Sequence, residues 1–449
     1  PWRRPAWLRV PRVRRHDMLP PQVRPAEWQR RPAAAPYARP VEWERQPVFT
    51  QAGVRPLEWQ RRPRAQRPPS RAAAVVSAVR GAIARPDASA IVLPIALVLL
   101  LMLIAAFGGH SHLAGRASHV GGSFAGQPAL RVFASSQDGA IYVLDARTGA
   151  LVWRYQTGAQ VESAPAVSGG VVYVGSDDHS IYALRPATTT VLWRFATGGP
   201  VASALTVAGG TVYAGSYDGA LYALRADDGR LLWRYQTGNS ISAQPAVAGG
   251  VVYVGSYDDD VYALRAADGT LLWRYHTRGM VASSPTIVGA SVYVGSADDD
   301  IYALSARSGA LLWRTATGGS VYSSPAVVNG TLYVGSADTY VYALRAADGA
   351  LLWRTATSGL VFSSPAVANG SVYIGSSDGF LYALRAAGGS VVWRYRTRAA
   401  VVAPPAVAHG IVYAGSADGS IYALSAGAGT LVWFYPTGGR VTRRVALGT

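Results

Sequence analysis

From residue 130 onward, apolar residues fall in runs of four or five, and polar turn residues separate the runs at even intervals. One unit, residues 251–285, reads VVYVGSYDDDVYALRAADGTLLWRYHTRGMVASSP. Its apolar runs lie at 251–254, 261–264, 271–275 and 285–288. They are rich in Val, Tyr, Leu and Trp and too short for helices, so they predict strands. Tyr257-Asp258, Asp268-Gly269 and Thr277-Arg278-Gly279 mark the turns between them. The last turn in other units is Asn329-Gly330 or Asn369-Gly370, a hairpin signal. Four short strands joined by tight turns make one antiparallel sheet.

The sheet recurs. Trp153, Trp193, Trp233, Trp273, Trp313, Trp353, Trp393 and Trp433 stand 40 residues apart through eight copies. That period predicts an all-β fold, an eight-bladed β-propeller with one four-stranded sheet per blade. The strands of each unit are named A to D here, with the tryptophan on D. The first copy has B at 132–135, C at 141–144 and D at 151–155, with no A before them. The last copy ends in an A-like run at 441–447. Seven blades are therefore expected to be continuous and the eighth to be completed by both ends, which closes the ring and hides its edges. Pro165, Pro245, Pro285, Pro325, Pro365 and Pro405 occupy A. Proline cannot donate to a ladder, which suits A to the inner edge. The tryptophans are expected to fill the wedge between blades as packing.

The runs IYALSARSGALLWR (301–314) and VYALRAADGALLWR (341–354), with VYVGS upstream and SSPAV downstream, resemble the repeat of the pyrroloquinoline-quinone (PQQ) enzymes. The same repeat builds the non-catalytic outer-membrane assembly factors of the BamB kind, also eight-bladed. The resemblance covers residues 130–449. A PQQ enzyme would carry a calcium ion held by carboxylate and amide side chains, an aspartate base near the axis and often a vicinal disulfide. A scaffold would need none of these.

Composition changes the picture ahead of the repeats. The chain has 449 residues, a net charge of +17 and no cysteine. That excludes a disulfide framework, a thiolate metal site and a catalytic cysteine. All 42 basic residues are arginine. Residues 1–87 hold 19 of them against 6 acidic residues. They lack apolar periodicity and are expected to be a disordered Arg/Pro/Trp-rich cytoplasmic tail. Within it RPAEWQRRP, RPVEWERQP and RPLEWQRRP repeat around Trp28, Trp43 and Trp59. These read as docking motifs for a cytoplasmic partner, or as an attraction for anionic lipid. Charge alone does not indicate nucleic acid, since no recognised nucleic-acid module accompanies the tail. Residues 88–109, ASAIVLPIALVLLLMLIAAFGG, carry no charge and suffice for a transmembrane helix. The arginine excess before them puts the tail in the cytoplasm and the propeller outside. Residues 110–129 read as a flexible linker whose His110, His112 and His119 make no metal site. A start at Pro1 implies a processed or truncated chain.

Asp138, Asp178, Asp218, Asp258, Asp298, Asp338, Asp378 and Asp418 occupy one slot in all eight B–C turns. A residue present in every copy serves the fold, and aspartate bonding its own turn backbone is the expected role. Glu162 is the only glutamate after Glu58, and His179, His276 and His409 each stand alone. No Ser–His–Asp arrangement and no PQQ ligand set is visible. In an up-down blade the B–C and D–A loops share one face. It collects Asp177, Asp178 and His179, aspartates 258–260 and 298–300, and Arg278, Arg396, Arg398 and Arg440. The aspartate triplets lack EF-hand spacing. On strand A, Tyr322, Phe362, Arg443 and Arg444 break a small-residue pattern. The candidate binding surface is therefore Glu162, Arg278, Tyr322, Phe362, Arg396, Arg398, Arg443 and Arg444, with no catalytic, cofactor or metal residue assigned. The expected function is a membrane-anchored, extracytoplasmic, non-catalytic module that binds or scaffolds a protein partner. The alternatives are a PQQ-dependent dehydrogenase and an extracytoplasmic ligand sensor.

Overall fold

The computed structural model describes residues 130–449. The tail (1–87), the apolar segment (88–109) and the linker (110–129) lie outside the described residues. Blade four shows how the repeat folds. Its strands are Ala246–Ala248, Val251–Gly255, Asp260–Arg265 and Leu271–His276, antiparallel in that order. Strand A is shorter than the sequence pattern suggests. In the next blade it is Thr286–Val288, and Pro285 stands just before it, where no ladder N–H is required. Of the run 441–447, only its end joins a strand, Ala446–Gly448.

Eight such sheets form the described residues. Blade one is completed by the C-terminal segment: Arg131 pairs with Gly448 and Phe133 with Ala446. Successive inner strands touch all round the ring. The expected closure by both ends is therefore the one observed. The core lies between blades rather than within them. Tyr253, Val261, Trp273 and Val281 pack on Val292, Val294, Tyr302 and Leu304 of the following blade.

The tryptophans fill this wedge, five of them buried and Trp313, Trp353 and Trp393 partly so. Trp273 Nε1 also donates to the Ala306 carbonyl in the next blade, at 2.9 Å. Gly309 lies against the indole with φ 70°, where a Cβ would come within 2.6 Å of the ring. Glycine is required there on both counts. The seam from blade one to blade two departs from this scheme. Blade two replaces the turn with Pro186–Thr188 and left-handed Thr189. Among the described residues Trp153 alone of the eight lacks a bond to the following blade, and it stacks on Tyr155 at 5.9 Å.

Strand D is not buried along its length, contrary to a simple reading of its apolar run. Leu264 pairs with Leu271 and Ala263 with Trp273, so Leu272 is the extra residue of a bulge. The bulge breaks the two-residue alternation. Leu271 and Leu272 are then both open, 39% and 43% exposed. The following arginine, Arg274 here, charges the unpaired outer edge and opposes edge-to-edge association.

Candidate functional site

The eight repeated aspartates do more than brace their own turns. Asp298 Oδ1 accepts the Asp300 N–H at 3.2 Å, as a turn aspartate should. Its Oδ2 accepts the Tyr302 hydroxyl at 2.6 Å and the Arg278 N–H, from the loop leaving the previous blade, at 2.9 Å. The same Oδ2 contact to the preceding loop recurs from Gly158–Asp178 round to Gly438–Asp138. These carboxylates staple neighbouring blades and show that the B–C and D–A loops do share one face. Asp178 differs: its Oδ1 is buried with no donor among the described residues.

At the innermost radius of that face, where each chain segment turns into strand A, the symmetry breaks. Glu162 accepts from Gln137 Nε2 at 2.8 Å and lies 3.5 Å from an Arg443 nitrogen. Arg443 Nε is buried without an acceptor among the described residues. Beside them Asp177 is partly buried. Burial first, then the negative charge of Glu162, pushes its carboxyl up to about 6, with Arg443 opposing. Tyr217 and Tyr257 continue the arc with ring centroids 6.4 Å apart. Burial raises the Tyr217 hydroxyl pKa above its ordinary value. On the far side, in blades six and seven, Tyr322 and Phe362 meet edge to face at 5.7 Å.

The remaining sequence candidates lie elsewhere. Arg278 and Arg398 are exposed on the D–A loops, with their backbone N–H groups bonded to Asp298 and Asp418. Arg396 lies over the Phe380 ring at 5.7 Å. It borders a groove of about 420 Å³ with Arg398 and Asp378. Arg444 enters an axial cavity one residue deeper than Arg443. So the structure joins Glu162 to Arg443, Tyr322 to Phe362 and Arg396 to Arg398, and leaves Arg278 apart. Gln137, Tyr217 and Tyr257 were missed. Their signal was a position rather than a motif: with Asp177 they fill one slot in blades one to four, where blades five to eight carry Ala297, Ala337, Ser377 and Ala417.

A PQQ group with its calcium ion would need carboxylate and amide ligands converging on the axis. Here the repeated aspartates are engaged by turns and neighbouring loops, and Glu162 by Gln137 and Arg443. No group of three or more His, Asp or Glu side chains among the described residues is placed to hold a metal. The residues present do not fit that group.

Fold and face together define the class: a closed eight-bladed β-propeller whose one irregular face surrounds the channel mouth. Residues 109–237 and 357–447 match the family model of outer membrane protein assembly factor BamB. Residues 202–374 match that of the β-propeller of a beta-alanine-activating enzyme. The repeats are thus similar to those of PQQ-like β-propellers, of which the BamB model is one. No curated protein matches the sequence. Among solved structures, BamB from Moraxella catarrhalis superposes with a TM-score of 0.57 at 21% identity, over 63% of this chain and 90% of that one. The computationally designed Ika8 protein gives 0.58 at 18%, over 67% and 92%. A europium-containing methanol dehydrogenase gives 0.58 at 15%, over 65% and 81%. At these identities the likeness is one of fold.

Proposed function

We propose that the chain is a membrane-anchored, extracytoplasmic propeller that binds or scaffolds a protein partner and has no catalysis of its own. One observation carries this reading. The residues that depart from the repeat gather on one face, as an arc of Gln137, Glu162, Asp177, Tyr217, Tyr257 and Arg443 facing the Tyr322–Phe362 pair. Aromatic and arginine side chains in such a mixed polar surround are the composition of protein contact sites. An assembly factor is among the proteins the family models describe, and an assembly role is in keeping with such a face. The anchor is the uncharged segment 88–109, and the arginine excess ahead of it sets the orientation.

The experiment is cross-linking capture from membranes with the full chain, run beside PQQ-binding and dye-linked oxidation assays with added calcium. The expected result is a captured protein that is lost in Tyr322→Ala and Phe362→Ala but retained in Leu312→Ala on the outer rim. The purified chain should show no saturable PQQ binding and no alcohol or sugar oxidation. Micromolar PQQ binding that disappears in Glu162→Gln would overturn the reading in favour of a quinoprotein dehydrogenase.

A further inference from the structure

The segment leading into the inner strand of blade one, which begins only at Ala446, carries two consecutive arginines, Arg443 and Arg444, so these lie ahead of strand A and not on it. At the Arg444 position the other seven blades hold Ala164, Ala204, Gln244, Ser284, Ser324, Ser364 and Pro404, all uncharged. Arg444 lines a cavity of about 260 Å³ on the propeller axis. Its walls come from the inner segments of five blades, where Ala164, Leu205, Val407, Val445 and Leu447 stand among exposed backbone groups and Arg444, which leave the lining polar as well as apolar. The second polar side chain is Gln244. Its amide nitrogen is committed to the Leu205 carbonyl at 3.1 Å and to Thr206 Oγ1 at 3.2 Å.

Arg444 makes no ion pair among the described residues, since the Glu162 carboxylate nearest in sequence register is taken by Arg443 and Gln137. The guanidinium is reached by solvent yet enclosed by protein, and this loss of hydration lowers its pKa. The fork of an arginine matches a carboxylate in two parallel hydrogen bonds. The aliphatic side chains in the lining, Leu205, Val407 and Val445, offer the body of an organic anion contacts that a hydrated inorganic anion cannot use. The volume lies just below the range of about 300–1,000 Å³ typical of drug-sized sites.

We propose that the axial cavity is a binding site for a small organic carboxylate, with the carboxylate in the fork of Arg444 and the hydrocarbon body against Leu205, Val407 and Val445. This goes beyond the partner surface at the mouth and does not depend on it.

The test is calorimetric titration of the purified full chain with benzoate, hexanoate, inorganic phosphate and a tripeptide bearing a free C-terminal carboxylate. Saturable binding of benzoate or hexanoate is expected, with no saturable phosphate or tripeptide binding. Arg444→Gln, polar but shorter and without charge, should weaken the carboxylate at least about tenfold, the scale of one charged hydrogen bond. Ala204→Leu, which narrows the cavity and keeps Arg444, should weaken it as well. Far-UV circular dichroism confirms that both variants are folded. Three results would overturn the proposal: no saturable carboxylate binding by the folded chain, binding indifferent to both substitutions, or binding of the tripeptide or phosphate in place of the small acids.

Discussion

Trp433 and Tyr413 share one acceptor at the junction of blades eight and one. The indole Nε1 lies 3.0 Å and the tyrosine hydroxyl 3.1 Å from the Ala146 carbonyl, and Ala146 is only 3% exposed. Tyr413→Phe removes one donor and leaves the other, so it should cost about 1 kcal/mol. Trp433→Phe removes the second donor and part of a buried ring, about 1 kcal/mol for the bond and about 1–2 kcal/mol for the lost packing. Only the double variant leaves a buried carbonyl with no donor, which costs about 1–3 kcal/mol in its own right. The double variant should therefore exceed the sum of the singles by about 1 kcal/mol or more. Both singles keep an aromatic ring at the 5.9 Å contact, so the excess reports on the carbonyl rather than on ring packing. The assay is urea denaturation of the four forms followed by far-UV circular dichroism, because fluorescence would change with the tryptophan itself. Additivity within about 0.5 kcal/mol would refute the shared acceptor.

At the seam from blade one to blade two, Phe133 stands in the tyrosine slot and Pro186 in the alanine slot. Trp153→Phe should therefore cost about 1 kcal/mol less than Trp433→Phe, having no interblade bond to lose, and equal costs in the same denaturation series would contradict this. Deleting residues 441–449 removes the strand that pairs with Arg131–Phe133, and the whole propeller should melt at a lower temperature; an unchanged calorimetric transition would mean that the ring does not depend on its closing strand. The Asp177 carboxyl rises from 3.8 to about 6 on folding. Between these values the native state keeps a proton that the unfolded state has lost, so stability should fall as pH rises from about 4 to about 6 and level off above. Asp177→Asn should remove that slope, and parallel melting profiles across this window for the two proteins would exclude Asp177 as its source.

The strand pattern, the turns, the forty-residue period and the closure of the ring by both ends were legible in the chain because each rests on local chemistry. A run of Val, Tyr and Leu between Asp-Gly or Asn-Gly turns takes one conformation wherever it stands, and eight copies repeat that choice. The exposure of Leu271 and Leu272 was not legible. It follows from a bulge whose cause is the pairing of strands C and D. Nor were the second duty of the aspartates, since Asp298 binds the loop of another blade, or the meeting of Glu162 with Arg443 across 281 positions. In a repeat protein every copy carries nearly the same local preferences, so the residues that differ have no neighbours until the ring closes. Closure alone seats the C-terminal segment in blade one beside blade two, and so brings Arg443 to Glu162 at the mouth of the channel.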